Sequence, residues 1–261
     1  MTPDLQWDDE VDVVCTDAGV AGLAGAISAV DEGAEVLVAG GPVAGTPVAR
    51  GGYPGWFACH SGDIETAEYL NELAGDLDVA TLPQLDADLP IRSVAPAVAP
   101  GRTVPPFLGS ELRTWMARCI PSPSGYLYTR VTDWTSASMD SGDGDTLEVS
   151  DIGSLTTESG DIVSSLLDWL DAEAHMRGVG VHPVLGFERL VFGQGDVIGA
   201  VFTTADGPLT VRARHGVLFC RAAPSAGRAA HRRVNDEATL RVAMVGKAAS
   251  RFGRVELLDC A

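Results

Sequence analysis

Lysine is almost missing from this chain. Among 18 basic side chains set against 36 acidic ones, Lys247 is the single lysine, and the formal net charge is −18. A field of that sign repels phosphate backbones, so nucleic acid is not expected as a partner. The plain reading is a solvated acidic surface; the sharper one is docking on a basic partner. Long apolar runs are missing too. None reaches the ~20 residues that a membrane helix needs, and residues 1–10 lack the basic start and apolar centre of a secretory signal. The expectation is a soluble, cytoplasmic protein that touches no membrane. The five cysteines (Cys15, Cys59, Cys119, Cys220 and Cys260) are widely spaced, odd in number and without a CxxC pair. They support neither a zinc ribbon nor a disulfide framework. His60, His175, His182, His215 and His231 show no metal-ligand spacing, and no G-x-S-x-G elbow or P-loop lysine motif occurs.

What is present begins at once. Residues 11–15 form a short apolar run, residues 18–31 place Val20, Leu23, Ile27 and Val30 at helical spacing, Gly33 is a stop, and residues 35–39 (EVLVA) form a second strand pattern. Strand, glycine turn, helix and strand within about thirty residues define a βαβ unit with two parallel strands. A Gly- and Pro-dense loop follows over 40–62, then a helix over 63–74 with Asp63 as its N-cap. Residues 79–110 are proline-rich and expected to be irregular; a stretch of that length often wraps a neighbour. A helix carrying Trp115 is expected over 110–119, a strand over 125–131 and a polar loop over 136–145. Tyr126, Tyr128 and Arg130 lie two apart on one face of that strand, which leaves core packing, a pocket wall and a subunit contact open.

The second half reads as an amphipathic helix over 162–176 with Val163, Leu166, Leu167, Leu170 and Ala174 on one face. Strand runs over 181–192, 197–203 and 209–213 follow, joined by hairpin-type turns that favour antiparallel pairing. A buried-type strand over 215–220 (HGVLFC) and a last helix over 236–250 complete the pattern.

This order resembles the FAD-binding domain of the fumarate reductase, succinate dehydrogenase flavoprotein and 3-ketosteroid dehydrogenase superfamily. The resemblance is carried by DVVCTDAGVAGLAGAISAVDEGAEVLVAG (12–40) and supported by the helix–meander–strand segment over 162–220. It implies an α/β fold: a Rossmann-like FAD/NAD(P)-binding parallel sheet with helices, a small antiparallel meander and an irregular insertion. The whole of 1–261 would be one such domain, with the βαβ unit over 1–40, the insertion over 41–150, and the helix, meander, returning strand and C-terminal helix over 151–261.

The departures from the family pattern concern the cofactor. The dinucleotide fingerprint G-x-G-x-x-G falls on Asp17, Gly19 and Gly22, so a carboxylate stands where the tight-turn glycine meets a pyrophosphate. Asp17 can repel the anion, turn outward as a helix cap, or take part in chemistry. Ala39 and Gly40, at the end of the second strand, offer no acid to a ribose hydroxyl. Cys220 and Arg221 stand where the family has an Ala-Thr-Gly type of ending. The positions matching the family's cofactor site are therefore Asp17, Ala18, Gly19, Gly22, Ala39, Gly40, Arg50, Gly51, Gly52, Cys220 and Arg221, several of them altered. Arg50 offers a countercharge to Asp17. About forty residues follow Cys220, fewer than the family's substrate cap occupies, so no catalytic residue transfers.

Three functions stay open. The first is a degenerate flavoprotein-like subunit that holds FAD weakly or not at all and serves as a binding or assembly component, in a homo- or hetero-oligomer. The second is an FAD-dependent oxidoreductase completed by another subunit. The third is a non-redox lyase or isomerase that takes a small molecule in the former cofactor cleft.

Overall fold

The computed structural model describes residues 6–41, 62–75, 77, 89–97, 109–130, 136–141, 146–156, 162–220 and 239–260. The chain opens with β1 (Asp9–Cys15), α1 (Val20–Asp31) and β2 (Val36–Gly40), and continues through α2 (Ile64–Ala74), β3 (Ile91–Pro96), α3 (Gly109–Cys119), β4 (Gly125–Tyr128), β5 (Ala137–Asp140) and β6 (Thr146–Thr156). Then come α4 (Ile162–Met176), β7 (Val181–Pro183), β8 (Gly186–Gly193), β9 (Asp196–Thr204), β10 (Gly207–Cys220), β11 (Thr239–Gly246) and β12 (Phe252–Cys260).

Near its start the chain follows the hydrophobic pattern closely. β1 pairs in parallel with β2 and with β10, and β2 pairs in parallel with β7. α1 crosses between β1 and β2 and is buried almost all round, because α4 covers its outer side. Its alanines and glycines allow a close approach: a Cβ on Gly25 would stand 2.3 Å from a Leu218 methyl of β10. Arg177, just past α4, pairs with Asp31 at 2.8 Å and with Glu173, pinning the two helix ends together. α2 starts as expected: Asp63 accepts from the Thr66 amide at 2.8 Å, and the buried Thr66 hydroxyl then receives the Leu190 amide of β8.

The fold class expected from the sequence is overturned. Strand takes up 49% of the described residues, with only four helices among them, and part of the sheet closes into a barrel. β11 pairs with β6, β6 with β5, β5 with β3, β3 with β12, and β12 returns to β11. The helix expected over 236–250 is, from Thr239 on, strand β11 and its turn, and residues 236–238 lie outside the described residues. Leu240, Val242 and Met244 face one core cluster and Ala243 and Val245 the other. A strand buried on both faces is a continuous apolar run without a period of two, so its spacing imitates a helix. Within 41–150 the helices and strand expected over 63–74, 110–119 and 125–131 are α2, α3 and β4, while β3, β5 and the start of β6 are strands the sequence did not announce, β5 lying in the polar loop expected over 136–145.

The meander holds its expected order with two differences. The first strand run divides into β7 and β8, which pair with different partners. The last two runs join as β10, a single strand with a bulge. Val11 pairs with Ala213 and Val13 with Gly216, so Arg214 and His215 together stand opposite Asp12, one residue more than a regular ladder holds. Gly216 has φ +139°, a conformation that side chains rarely adopt.

Candidate functional site

The four parallel strands β10, β1, β2 and β7 end on the same side, and their carboxyl ends carry the described positions where the sequence expected a cofactor. Asp17 lies in the bend between β1 and α1, partly buried, and its Oδ1 accepts a hydrogen bond from the Gly19 amide at 2.7 Å. Gly19 is the N-cap of α1. Amides at this place are the donors that a helix start offers to an anion. The carboxylate thus takes one of those donors and sets a negative charge at the positive end of the helix dipole, where it is stabilised. The start of α1 itself has no side-chain cap; the Asp17 carboxylate closes the bend just ahead of it.

Gly22 is required by packing. A Cβ there would stand 1.7 Å from the Asp17 carbonyl oxygen and 3.4 Å from Cys220 Sγ, so the first turn of α1 seats directly on the bend. The end of β10 is fastened to the same bend. The Thr16 amide donates to the Leu218 carbonyl at 3.0 Å, and the Cys220 amide donates to Thr16 Oγ1 at 3.0 Å. Burial raises the Cys220 thiol well above its ordinary value, and the neighbouring Cys15 and Asp17 add to the rise. The Cys15 thiol is pushed up to about 12 by burial alone. Both are protonated structural thiols, not nucleophiles.

Ala39 is fully buried and Gly40 sits tightly at the end of β2: a Cβ on Gly40 would stand 2.2 Å from a Val181 methyl of β7 and 3.6 Å from Ala18 Cβ. The structure therefore brings Asp17, Ala18, Gly19, Gly22, Gly40 and Cys220 together around one bend, with Ala39 beneath. Arg50, Gly51, Gly52 and Arg221 lie outside the described residues. Thr16 and Val181 also belong to the cleft and were missed in the sequence. Thr16 had a signal, as the residue closing β1; Val181 had none, because the pairing of β7 with β2 is a tertiary fact.

Tyr126 and Tyr128 pack in the core cluster that holds α1, Cys15 and Cys220, and burial raises both phenols. Arg130 lies past the end of β4. Among the described residues no group of His, Cys, Asp and Glu is placed to hold a metal ion, and no helix is long and apolar enough to cross a membrane.

The opposite, amino-terminal end of the same strands is charged. Arg214, set out by the β10 bulge, donates to Asp12 at 2.7 Å and pairs with Glu35; His215 Nε2 lies 3.3 Å from Asp12. Glu35, just ahead of β2 and at the end opposite Gly40, is committed there.

Among the described residues at the bend, the Gly19 amide is occupied by the Asp17 carboxylate, and Ala39 and Gly40 at the end of β2 carry no acid for a ribose.

No protein-family model matches the chain, and no curated protein matches it. Solved structures overlap it in part. One is a 3-ketosteroid-delta4-(5alpha)-dehydrogenase from Rhodococcus jostii RHA1 in complex with 4-androstene-3,17-dione, 21% identical, covering 83% of this chain and 46% of that one at a TM-score of 0.35. A second is a flavocytochrome c3 fumarate reductase in its open conformation, 15% identical, covering 79% and 33% at 0.33. A third is a geranylgeranyl bacteriochlorophyll reductase-like protein from Thermoplasma acidophilum, 16% identical, covering 78% and 38% at 0.29. The chain spans a third to just under half of these proteins. Overlaps at this level decide neither fold nor activity.

Proposed function

We propose that this chain is a binding or assembly component built around a flavoprotein-like cleft that holds FAD weakly or not at all. One observation carries the reading: the Asp17 carboxylate occupies the Gly19 amide at the start of α1, the place where a dinucleotide's anionic linker would seek its donors. A ligand entering there must displace an internal hydrogen bond and face a like charge. Two unit charges about 4 Å apart repel by roughly 1 kcal/mol in water and about 4 at an effective dielectric of 20. The flavin in the name of the flavocytochrome neighbour makes FAD the ligand to test. Titration of the purified chain with FAD, followed by flavin fluorescence and by melting temperature, is expected to show no saturation at micromolar FAD. Tight stoichiometric binding would overturn the reading.

The alternative is an FAD-dependent oxidoreductase completed by another subunit. It draws on Gly22, whose missing side chain lets α1 begin against the bend as a dinucleotide loop requires. FAD uptake only in the presence of a copurifying partner would favour it. A homo- or hetero-oligomer is part of both readings, and sedimentation of the purified chain tests it.

A further inference from the structure

Gly40 ends β2, the place from which an acid would reach a ribose in a dinucleotide-binding unit. Nothing in its own backbone asks for glycine: its φ is not positive, and it pairs in register with Pro183 of β7. The demand comes from the neighbouring strand. A Cβ on Gly40 would stand 2.2 Å from Val181 Cγ1, closer than real Cβ contacts come. Its distance to Ala18 Cβ, 3.6 Å, would be ordinary contact. Val181 pairs with Val38, two residues before Gly40, so all three positions lie on the face of the sheet where Val38 packs with α1. The Val184 amide donates to the Gly40 carbonyl at 2.9 Å and holds the end of β7 beside the end of β2. Val181 is 44% exposed, so this is a surface of the strand ends and not the core. Its methyl fills the space into which a side chain at position 40 would have to grow.

We infer that Val181 is a specificity-determining residue: it occupies the place of a ribose-binding acid and so denies the strand ends a hold on a ribose diol, independently of the charge on Asp17. The inference rests on reading these strand ends as a flavoprotein-like cleft, and it extends that reading from the anionic linker to the nucleoside half. Positions 40 and 181 form one coupled pair. Valine is stiff at χ1, so an acid restored at position 40 cannot take its place while the valine methyl stands there.

Adenosine is the probe, because it carries the ribose diol and no phosphate and meets no like-charge repulsion from Asp17. Four forms of the full chain are compared by equilibrium dialysis: unsubstituted, Gly40→Glu, Val181→Ala and the two changes together. Each single variant is expected to gain less than about twofold in adenosine affinity, and the double variant about tenfold or more. That gain should vanish with 2′,3′-dideoxyadenosine, which lacks the hydroxyls that an acid holds. Gly40→Ala gives a second measurement that adds only the Cβ. It is expected to lower the melting temperature by about 2–4 °C in the natural background and to leave it unchanged in the Val181→Ala background. Gly40→Ala costing the same in both backgrounds overturns the coupling. A double variant that binds adenosine no better than Gly40→Glu overturns the specificity role, as does a gain that the dideoxy analogue shares. Tight FAD binding by the unsubstituted chain would instead overturn the cleft reading itself, so the two failures are told apart.

Discussion

Asp17 and Gly19 close a two-residue loop on themselves: the carboxylate of one accepts the amide of the other at 2.7 Å, at the point where α1 begins. The bend is thereby satisfied from within, and each expectation for the cleft starts from that contact.

Asp17→Gly frees the Gly19 amide and removes the charge. FAD affinity is expected to rise by roughly ten- to a thousandfold, read by flavin fluorescence quenching. Asp17→Asn, which keeps an oxygen acceptor but no charge, is expected to recover only part of that gain. Equal, negligible effects in both variants would show that the carboxylate is not the obstacle.

Gly22→Ala tests the packing of the same bend. Its Cβ would stand 1.7 Å from a backbone oxygen, which no rotamer relieves. The start of α1 must move, at a cost of about 1–3 kcal/mol, measurable as a lowered denaturant midpoint with an unchanged slope.

Glu256 is fully buried between two guanidinium groups, 2.8 Å from Arg92 Nε and 2.7 Å from Arg254 Nε. Glu256→Gln removes the buried charge that both guanidinium groups meet. A loss of about 3–5 kcal/mol is expected in chemical denaturation. A loss below 1 kcal/mol would mean that water reaches the pair.

Acid should weaken the amino-terminal charge cluster. The Arg214 hydrogen bond first, then the Glu35 amide, hold the Asp12 carboxyl below its ordinary 3.8, against the opposing effect of burial. The folded state therefore binds fewer protons at Asp12 than the unfolded chain does. The resulting stability is whole above pH 3.8 and is lost as pH falls through the lower folded value. Denaturant midpoints measured from pH 5 down to pH 2 should fall, and Asp12→Asn should flatten the curve in that window. A parallel curve for the variant would assign the acid sensitivity elsewhere.

The beginning of the chain was legible because local rules governed it. Asp63 caps α2 as its side chain dictates, and the spacing of Val20, Leu23 and Ile27 placed α1. The bend at Asp17 was legible as a substitution, but the sequence alone could not say where the carboxylate points. That depends on the φ and ψ of the bend and on the seating of Gly22 against it. The closed ring was hidden for a different reason. β3 pairs with β12 and β5, and β6 with β11, across long sequence separations, and β11 carries no alternation because apolar side chains cover both of its faces.

β10 is bordered on one flank by β1 and on the other by β9 and then β4, which in turn holds β12. This strand stitches the hairpin layer and the closed ring to the βαβ unit, and α1 packs on the ring from the same unit. Detaching either neighbour would leave a row of amides on β10 with no acceptor. The three parts must therefore melt as one cooperative body, and a lesion in the middle of β10 would be felt in all of them at once.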